Sequence, residues 1–598
     1  MSDSSATPTS SPHRRGVLDF IERVGNALPE PALLFALLAA IVVVISAVGS
    51  SMDWRVQPVQ PRVVMVEGTN AAGEAVQVPK LDDRGKPVVE LVKSGDPIAP
   101  QSLLTSEGIY WMLSSMLRNF TGLPALGLIF VAMLGIGLAE KFGFFGALMR
   151  AIAMATPAKL LTPMIVMLGA NSSVASDAGY IILPPLAAAL FLAMGRPPIA
   201  GLAAAFAGVA GGFGAGFFPT GGDGVLAGFA QDSARVIDPS YSINIVHNLY
   251  FKSGSVFVIM LAGWWVTDRI VEPRLVKSGL VGALEGPTAK DLVLTSQEMR
   301  ALFWSLGGLA VVLAVFAALI FVPGAPLSGT GQPTLADGRV IVHHPVTIEP
   351  AGAHVKVAPH DVLAASPLTV AEAAGKGRLA EPPGDRWAHV IVPIIFLAFL
   401  IPGLIYGRLT GLCTSQKDII DGFYHGIRGI VPVLAIAFFM GQFVNYFAYT
   451  KLDKMLAYAG GSLLVTADLP VPFLIALFVL LVVLGDFAIS GMLSKFGVLA
   501  PIFIPMFMMV GMSPELTTAA YRIGDSVVNI ITPLNSYLLI ILVVLQKYKK
   551  EAGLGSLISL MLPYSIVFGL AWTAFLLIWY ALGFDLGPKA PAIYVPPF

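Results

Sequence analysis

The chain has 598 residues, 56% of them hydrophobic and 12% charged, with a mean hydropathy of +0.78. Soluble domains carry about 25% charged residues, and half that share cannot cover a water-soluble particle of this size, so the composition specifies an integral membrane protein. The 37 basic and 37 acidic side chains cancel, which excludes a basic field for nucleic acid, and the single cysteine, Cys413, excludes a disulfide framework and Cys-rich metal sites.

In chain order, residues 1–28 form a polar N-terminal segment whose Arg14-Arg15 pair reads as a basic anchor on the cytoplasmic side. The long, mostly apolar runs 33–48, 302–322, 390–406, 527–545 and 557–582 predict helices, because a barrel would show ten-residue alternations instead. Four shorter runs, 160–170, 181–194, 473–484 and 498–510, are too short to span a bilayer that needs about 20 residues. They come as two pairs, joined by the polar stretches NSSVASDAGY (171–180) and GDFAISGMLSKF (485–496), which predicts re-entrant hairpins at about 157–195 and about 470–512.

Each hairpin is followed by a Gly- or Pro-interrupted helix, GGFGAGFFPTGGDG (211–224) and YRIGDSVVNIITP (521–533). Hairpin plus broken helix, twice, is the sequence mark of a secondary transporter with inverted repeats. The positive-inside rule supports the layout, placing Lys141, Arg150, Lys159, Arg196, Arg269, Arg274, Arg408, Lys417 and Lys547 on one side. The expected fold is all-α, with nine transmembrane helices and two re-entrant hairpins in inverted repeats, and small β-rich exterior loops. Its parts are a first repeat at 29–270 containing exterior loop 52–101, a cytoplasmic linker and helix at 271–323, an exterior loop at 324–386, a second repeat at 387–583, and a C-terminal tail at 584–598. The loops are rich in Val, Pro and Gly, which suggests short strands forming a cap, with four histidines (His343, His344, His354 and His360) that show no recognised metal-ligand spacing.

Several segments resemble the p-aminobenzoyl-glutamate transporter (AbgT) family: ERVGNALPEPALLF (22–35), NFTGLPALGLIFVAMLGIGLAEKFG (119–143), SSVASDAGYIILPPLAAALF (172–191), GRPPIAGLAAAFAGVAGGF (195–213), IPGLIYG (401–407), LISLMLPYS (557–565) and, most strongly, LAPIFIPMFMMVGMSPELTTAAYRIGDSVVNIITPL (499–534). The resemblance implies a homodimer in a bacterial inner membrane. It also implies import of p-aminobenzoyl-glutamate or export of sulfonamide-like antimetabolites, driven by a sodium or proton gradient, with no cofactor. The chain departs from the family pattern at Gly214, Gly216 and Gly224 in the first broken helix, and at Asp486 (family Asn), Leu493 (family Ser) and Phe496 (family Trp) in the second hairpin.

The candidate ion-coupling residues are Asn171, Ser172, Ser173, Ser176, Asp177, Asp223, Asp486 and Thr532; the candidate substrate-binding residues are Asp177, Asp486, Phe496, Pro514, Arg522, Asp525, Asn529 and Pro533. An acid at membrane depth, such as Asp177, is costly and therefore usually functional, although it would also cap a hairpin helix. Arg522, Asp525, Asn529 and Thr532 fall at i, i+3, i+7 and i+10, on one face of a continuous helix. Arg522 suits a carboxylate through two parallel N–H bonds; the competing reading is an internal Arg522–Asp525 pair that only locks the helix. Pro514 and Pro533 are helix-breakers that would free carbonyls for a ligand, and Phe496 keeps a stacking platform without the indole donor. Asp486 would repel an anion unless protonated or paired, and Lys495 reaches it only if the hairpin bends. The chain has no HExxH, GxSxG or Walker motif, so neither an enzyme nor an ATP-driven pump is expected. An intramembrane aspartate hydrolase and a channel are the rival classes.

Overall fold

This computed structural model describes residues 31–70, 75–80, 89–175, 178–277, 293–322, 325–327, short strands between 341 and 363, and 390–595 except 488, 490 and 536. Helices dominate. Among the described residues five are long and apolar enough to cross a membrane: α1 (Pro31–Ser51), the span starting with α9 (Leu249–Val266) and running to Lys277, α10 (Ser296–Phe321), α11 (Ile391–Thr410) and α18 (Leu554–Ala581). A sixth is the pair α3 (Pro124–Lys141) and α4 (Phe144–Ala155), bent by 62° at Phe142-Gly143. Sequence reading missed α2 (Ser106–Thr121), an amphipathic helix capped by Thr105, whose side chain accepts the Gly108 N–H.

The four short apolar runs fold as paired helices: α5 (Leu161–Asn171) with α6 (Ala178–Ala193), and α14 (Val471–Gly485) with α15 (Met492–Met508). Each pair precedes an interrupted helix. In the first half α7 (Pro198–Phe206) runs through a π-helical turn, Ala207–Gly211, into an irregular stretch, and the chain resumes as α8 (Gly221–Ala234). In the second half α16 (Pro514–Val528) stops and α17 (Tyr537–Tyr548) starts after a gap of eight residues, so the run 527–545 expected as one long helix is two pieces. Pro533 lies in that gap, where its ring and missing N–H prevent continuation.

The halves interlock. Helix α1 packs on α12 (Gln416–Tyr449), α3 packs on both α11 and α12, α8 packs on α15, and α9 packs on α18. At the α3–α12 crossing Gly137 faces Gly426 so closely that a Cβ on Gly137 would lie 2.2 Å from the Gly426 Cα. The backbones touch there because neither residue has a side chain. Helix α13 (Leu452–Ala467) packs on α15.

The polar loops do form strands: β1 (Val59–Val63) pairs antiparallel with β4 (Val89–Lys93), and β5 (Ile341–His344) with β8 (His360–Leu363). A third sheet has the order β3 (Ala75–Pro79), β2 (Met65–Asn70), β6 (Thr347–Glu349), β7 (Val355–Lys356), and so joins both loops, as the expectation of a shared cap required. His343 stands opposite Asp361 and His344 opposite His360 in register, while His354 lies outside the described residues. Among the described residues no group of His, Cys, Asp and Glu could hold a metal ion.

Candidate functional site

Helix α16 forms the centre of the interior: every residue from Pro514 to Val528 is buried. Its polar residues are therefore held by protein, and two of them, Arg522 and Asp525, each belong to an ionic cluster. In the first, Arg522 Nη2 lies 2.6 Å from Asp223 Oδ1, and Lys252 Nζ donates to Asp223 Oδ2 at 2.6 Å. Asp223 is N3 of α8 and also accepts the Thr220 N–H (2.6 Å), so one carboxylate closes the helix start and is shared by two cations, from α9 and α16. Arg522 Nε donates to Asn248 Oδ1 (3.1 Å), and Asn248 Nδ2 donates to the Glu515 carbonyl (2.9 Å).

In the second cluster Lys495, from α15, bridges two aspartates. Its ammonium contacts Asp486 Oδ1 at the end of α14 and Asp525 Oδ1 on α16, the latter at 2.9 Å. All three side chains are 1% exposed. The Tyr521 hydroxyl donates to the Met492 carbonyl (2.5 Å) and lies 3.3 Å from Asp525 Oδ1. Phe496 is fully buried with its ring centroid 4.6 Å from that of Tyr521, so it packs the cluster's wall.

The one-face stripe expected for 522–532 is corrected. Arg522 and Asp525 share α16, but the helix ends at Val528; Asn529 is its C-cap, and Thr532 lies in the gap. Nor do Arg522 and Asp525 lock each other, because each takes its partner from a different helix. Pro514 is corrected as well: it is N1 of α16, where a missing N–H costs nothing, behind the N-cap Ser513. Pro533 breaks the chain as expected, and the Asn529 carbonyl accepts from Asn535 Nδ2 (2.7 Å) across the gap.

The first helix of each pair meets the gap of its own half. Asn171 Oδ1 accepts the Phe217 N–H (2.9 Å), tying the end of α5 to the first gap. The Thr532 hydroxyl donates to the Asp486 carbonyl (3.3 Å), tying the end of α14 to the second. The Ser172 hydroxyl donates to the Gly169 carbonyl (2.7 Å), and Ser173 is half-buried in the 3-10 turn Ser172–Ala175. Ser176 and Asp177 lie outside the described residues. The two halves meet where the Gly214 N–H donates to Ser526 Oγ at 2.8 Å; a Cβ on Gly214 would fall 2.7 Å from that oxygen and 3.0 Å from the Arg522 carbonyl oxygen.

Sequence reasoning missed Lys252, Asn248, Tyr521, Ser526 and Glu515, whose carboxylate accepts from the Tyr241 hydroxyl (2.9 Å). Lys252 had a legible signal, a lone cation in the apolar stretch 249–266. The other polar residues are of types that also satisfy backbone inside helices, and only packing separates the two uses.

The chain that carries this arrangement matches known proteins over nearly its full length. Residues 16–342 and 376–594 match the AbgT putative transporter family. The chain belongs to that family. It is 30% identical over 585 residues to the p-aminobenzoyl-glutamate transport protein of Escherichia coli K12, covering 98% of both chains. Among solved structures it is similar to the YdaH transporter of Alcanivorax borkumensis (30% identity, TM-score 0.73, covering 94% of this chain and 100% of that one). It is also similar to MtrF of Neisseria gonorrhoeae, described as illuminating a class of antimetabolite efflux pumps (34% identity, TM-score 0.73, covering 96% and 100%). As an AbgT-family chain with several apolar helices, it is a multi-pass membrane transporter.

Proposed function

We propose that this chain is an ion-gradient-coupled secondary transporter of small aryl-amino-acid-like molecules, p-aminobenzoyl-glutamate or sulfonamide-type antimetabolites, working by alternating access. The observation that carries this reading is the pair of ionic clusters on α16, buried between two paired-helix elements and beside two helix gaps. Buried charge is expensive and earns its place where it recognises or couples. Two cations against one carboxylate at Asp223 suit a substrate carboxylate, with Arg522 as the directional partner.

The paired helices act in this reading as re-entrant hairpins within nine transmembrane segments, and the molecule is a homodimer in a bacterial inner membrane with its N-terminus in the cytoplasm. Asn171, Ser172, Ser173, Ser176, Asp177, Asp223, Asp486 and Thr532 serve ion coupling by sodium or proton. Phe496, Asn529 and Pro533 shape the substrate site around Arg522 and Asp525, mainly through packing and backbone.

The test is uptake of radiolabelled p-aminobenzoyl-glutamate into proteoliposomes with sodium and proton gradients imposed separately. Gradient-driven, saturable uptake that is lost in Arg522→Ala is expected. No uptake under either gradient removes this cargo, and unsaturable flux indifferent to both gradients points to a channel.

A further inference from the structure

Charge counting separates the two clusters. Asp223, Lys252 and Arg522 sum to +1, and Asp486, Lys495 and Asp525 sum to −1. Helix α16 joins them, because Arg522 and Asp525 stand one turn apart. Fully ionised, the six groups are neutral together, although neither set is neutral alone. In the negative set the second oxygen of each aspartate, Asp486 Oδ2 and Asp525 Oδ2, is buried and has no hydrogen-bond partner. Among the described residues, the titratable and charged groups facing this pair are Lys495 from α15, Tyr521 from α16 and, one turn back, Arg522 with its partners Asp223 from α8 and Lys252 from α9.

A carboxylate arriving at Arg522 and Lys252 turns the six-charge set to −1 in a region that tolerates net charge poorly. A cation at the other end restores the balance. Lys495 already stands between the two carboxylates, so a metal ion there would meet a fixed ammonium. A proton needs only one free oxygen. Resting on the transporter reading above, we propose that Asp486 and Asp525 form a proton site, sharing one exchangeable proton beside Lys495, and that carboxylate binding at Arg522 loads it. One O–H bond forms on an unpartnered Oδ2, its proton coming from water on the open side, and the same bond breaks on release. Linkage is reciprocal, so a bound proton tightens the carboxylate as much as the carboxylate tightens the proton.

The experiment has two arms, both on the full chain in nanodiscs. The first records infrared difference spectra against pH without ligand. On acidification the wild type gains a carboxylic-acid carbonyl band that Asp486→Asn lacks and that Asp486→Glu, which keeps the carboxyl and reports on folding, retains at a shifted frequency. The same band in wild type and Asp486→Asn overturns the proposal, and so does its loss on adding sodium at constant pH.

The second arm measures p-aminobenzoyl-glutamate binding. In wild type the affinity rises by up to about tenfold per pH unit of acidification while one linked proton loads, and in Asp486→Asn this slope disappears. An unchanged slope in the variant overturns the linkage. A wild type that binds no p-aminobenzoyl-glutamate at any pH sinks that cargo and the linkage to it, and the proton site then stands or falls on the first arm.

Discussion

Charged side chains in apolar surroundings made Arg522 and Asp525 legible in the sequence, while Asp223 and Asp486 stood out through the family resemblance, one matching its pattern and the other departing from it. Their pairing was not. Neighbours at i and i+3 on a helix invite a local ion pair, yet Arg522 and Asp525 each turn to a partner on another helix, Asp223 and Lys495. That choice is made by packing, which no spacing rule contains. A consequence can be measured at Asp223, whose removal leaves Lys252 and Arg522 facing each other without a counter-ion. Asp223→Asn is expected to cost about 3–5 kcal/mol, and adding Lys252→Met should recover part of the loss, because the surplus cation goes with it. Melting temperatures of the two single variants and the double variant in detergent decide this; losses that simply add would show that the pair does not interact. Phe496→Ala should likewise cost about 3–5 kcal/mol, since the ring is sealed against Tyr521.

Among the elements, the paired short helices were readable because four apolar runs fell short of a span and came in twos. The single helix expected over 527–545 failed because hydropathy records apolar content and is blind to a backbone interrupted by Pro533. Helix α2 escaped for the opposite reason: its apolar residues are diluted on one face. Close helix approach is also an element-scale property. Gly426→Val would drive a side chain into α3, where a Cβ already comes within 2.1 Å of the Met133 carbonyl oxygen. About 1–3 kcal/mol of overpacking cost is expected as a lowered melting temperature, and an unchanged one would refute the contact.

At the start of α12, Asp418 sits as N3 of a capping box with Ser415. The N–H groups of Ser415 and Thr414 hold its carboxyl down to about 2. A carboxyl held lower in the folded state than in the unfolded chain, where it lies near 3.9, stabilises above that value and loses its contribution as pH falls through about 2. The stability gap between wild type and Asp418→Asn should therefore be full at neutral pH and close on acidification. A gap that widens in acid would contradict the cap.

For the whole molecule, the basic loops set an orientation that structure alone does not contain. In a Cys413→Ala background, Lys550→Cys should react with an impermeant thiol reagent only from the cytoplasmic side and Glu90→Cys only from the exterior; both native side chains are exposed. Labelling of the two from one side would invalidate the proposed topology. The interlocking of the halves has a further consequence at the contact between Gly214 and Ser526. A carrier that opened one gate independently of the other would let its driving gradient run down without moving cargo. Here the interrupted stretch of one half is bonded to the buried helix of the other through a single short hydroxyl side chain, that of Ser526, with no Cβ on Gly214 to hold the two apart. Under the alternating-access proposal, displacement on one side would pull on the other through this joint, and slippage would require it to part first.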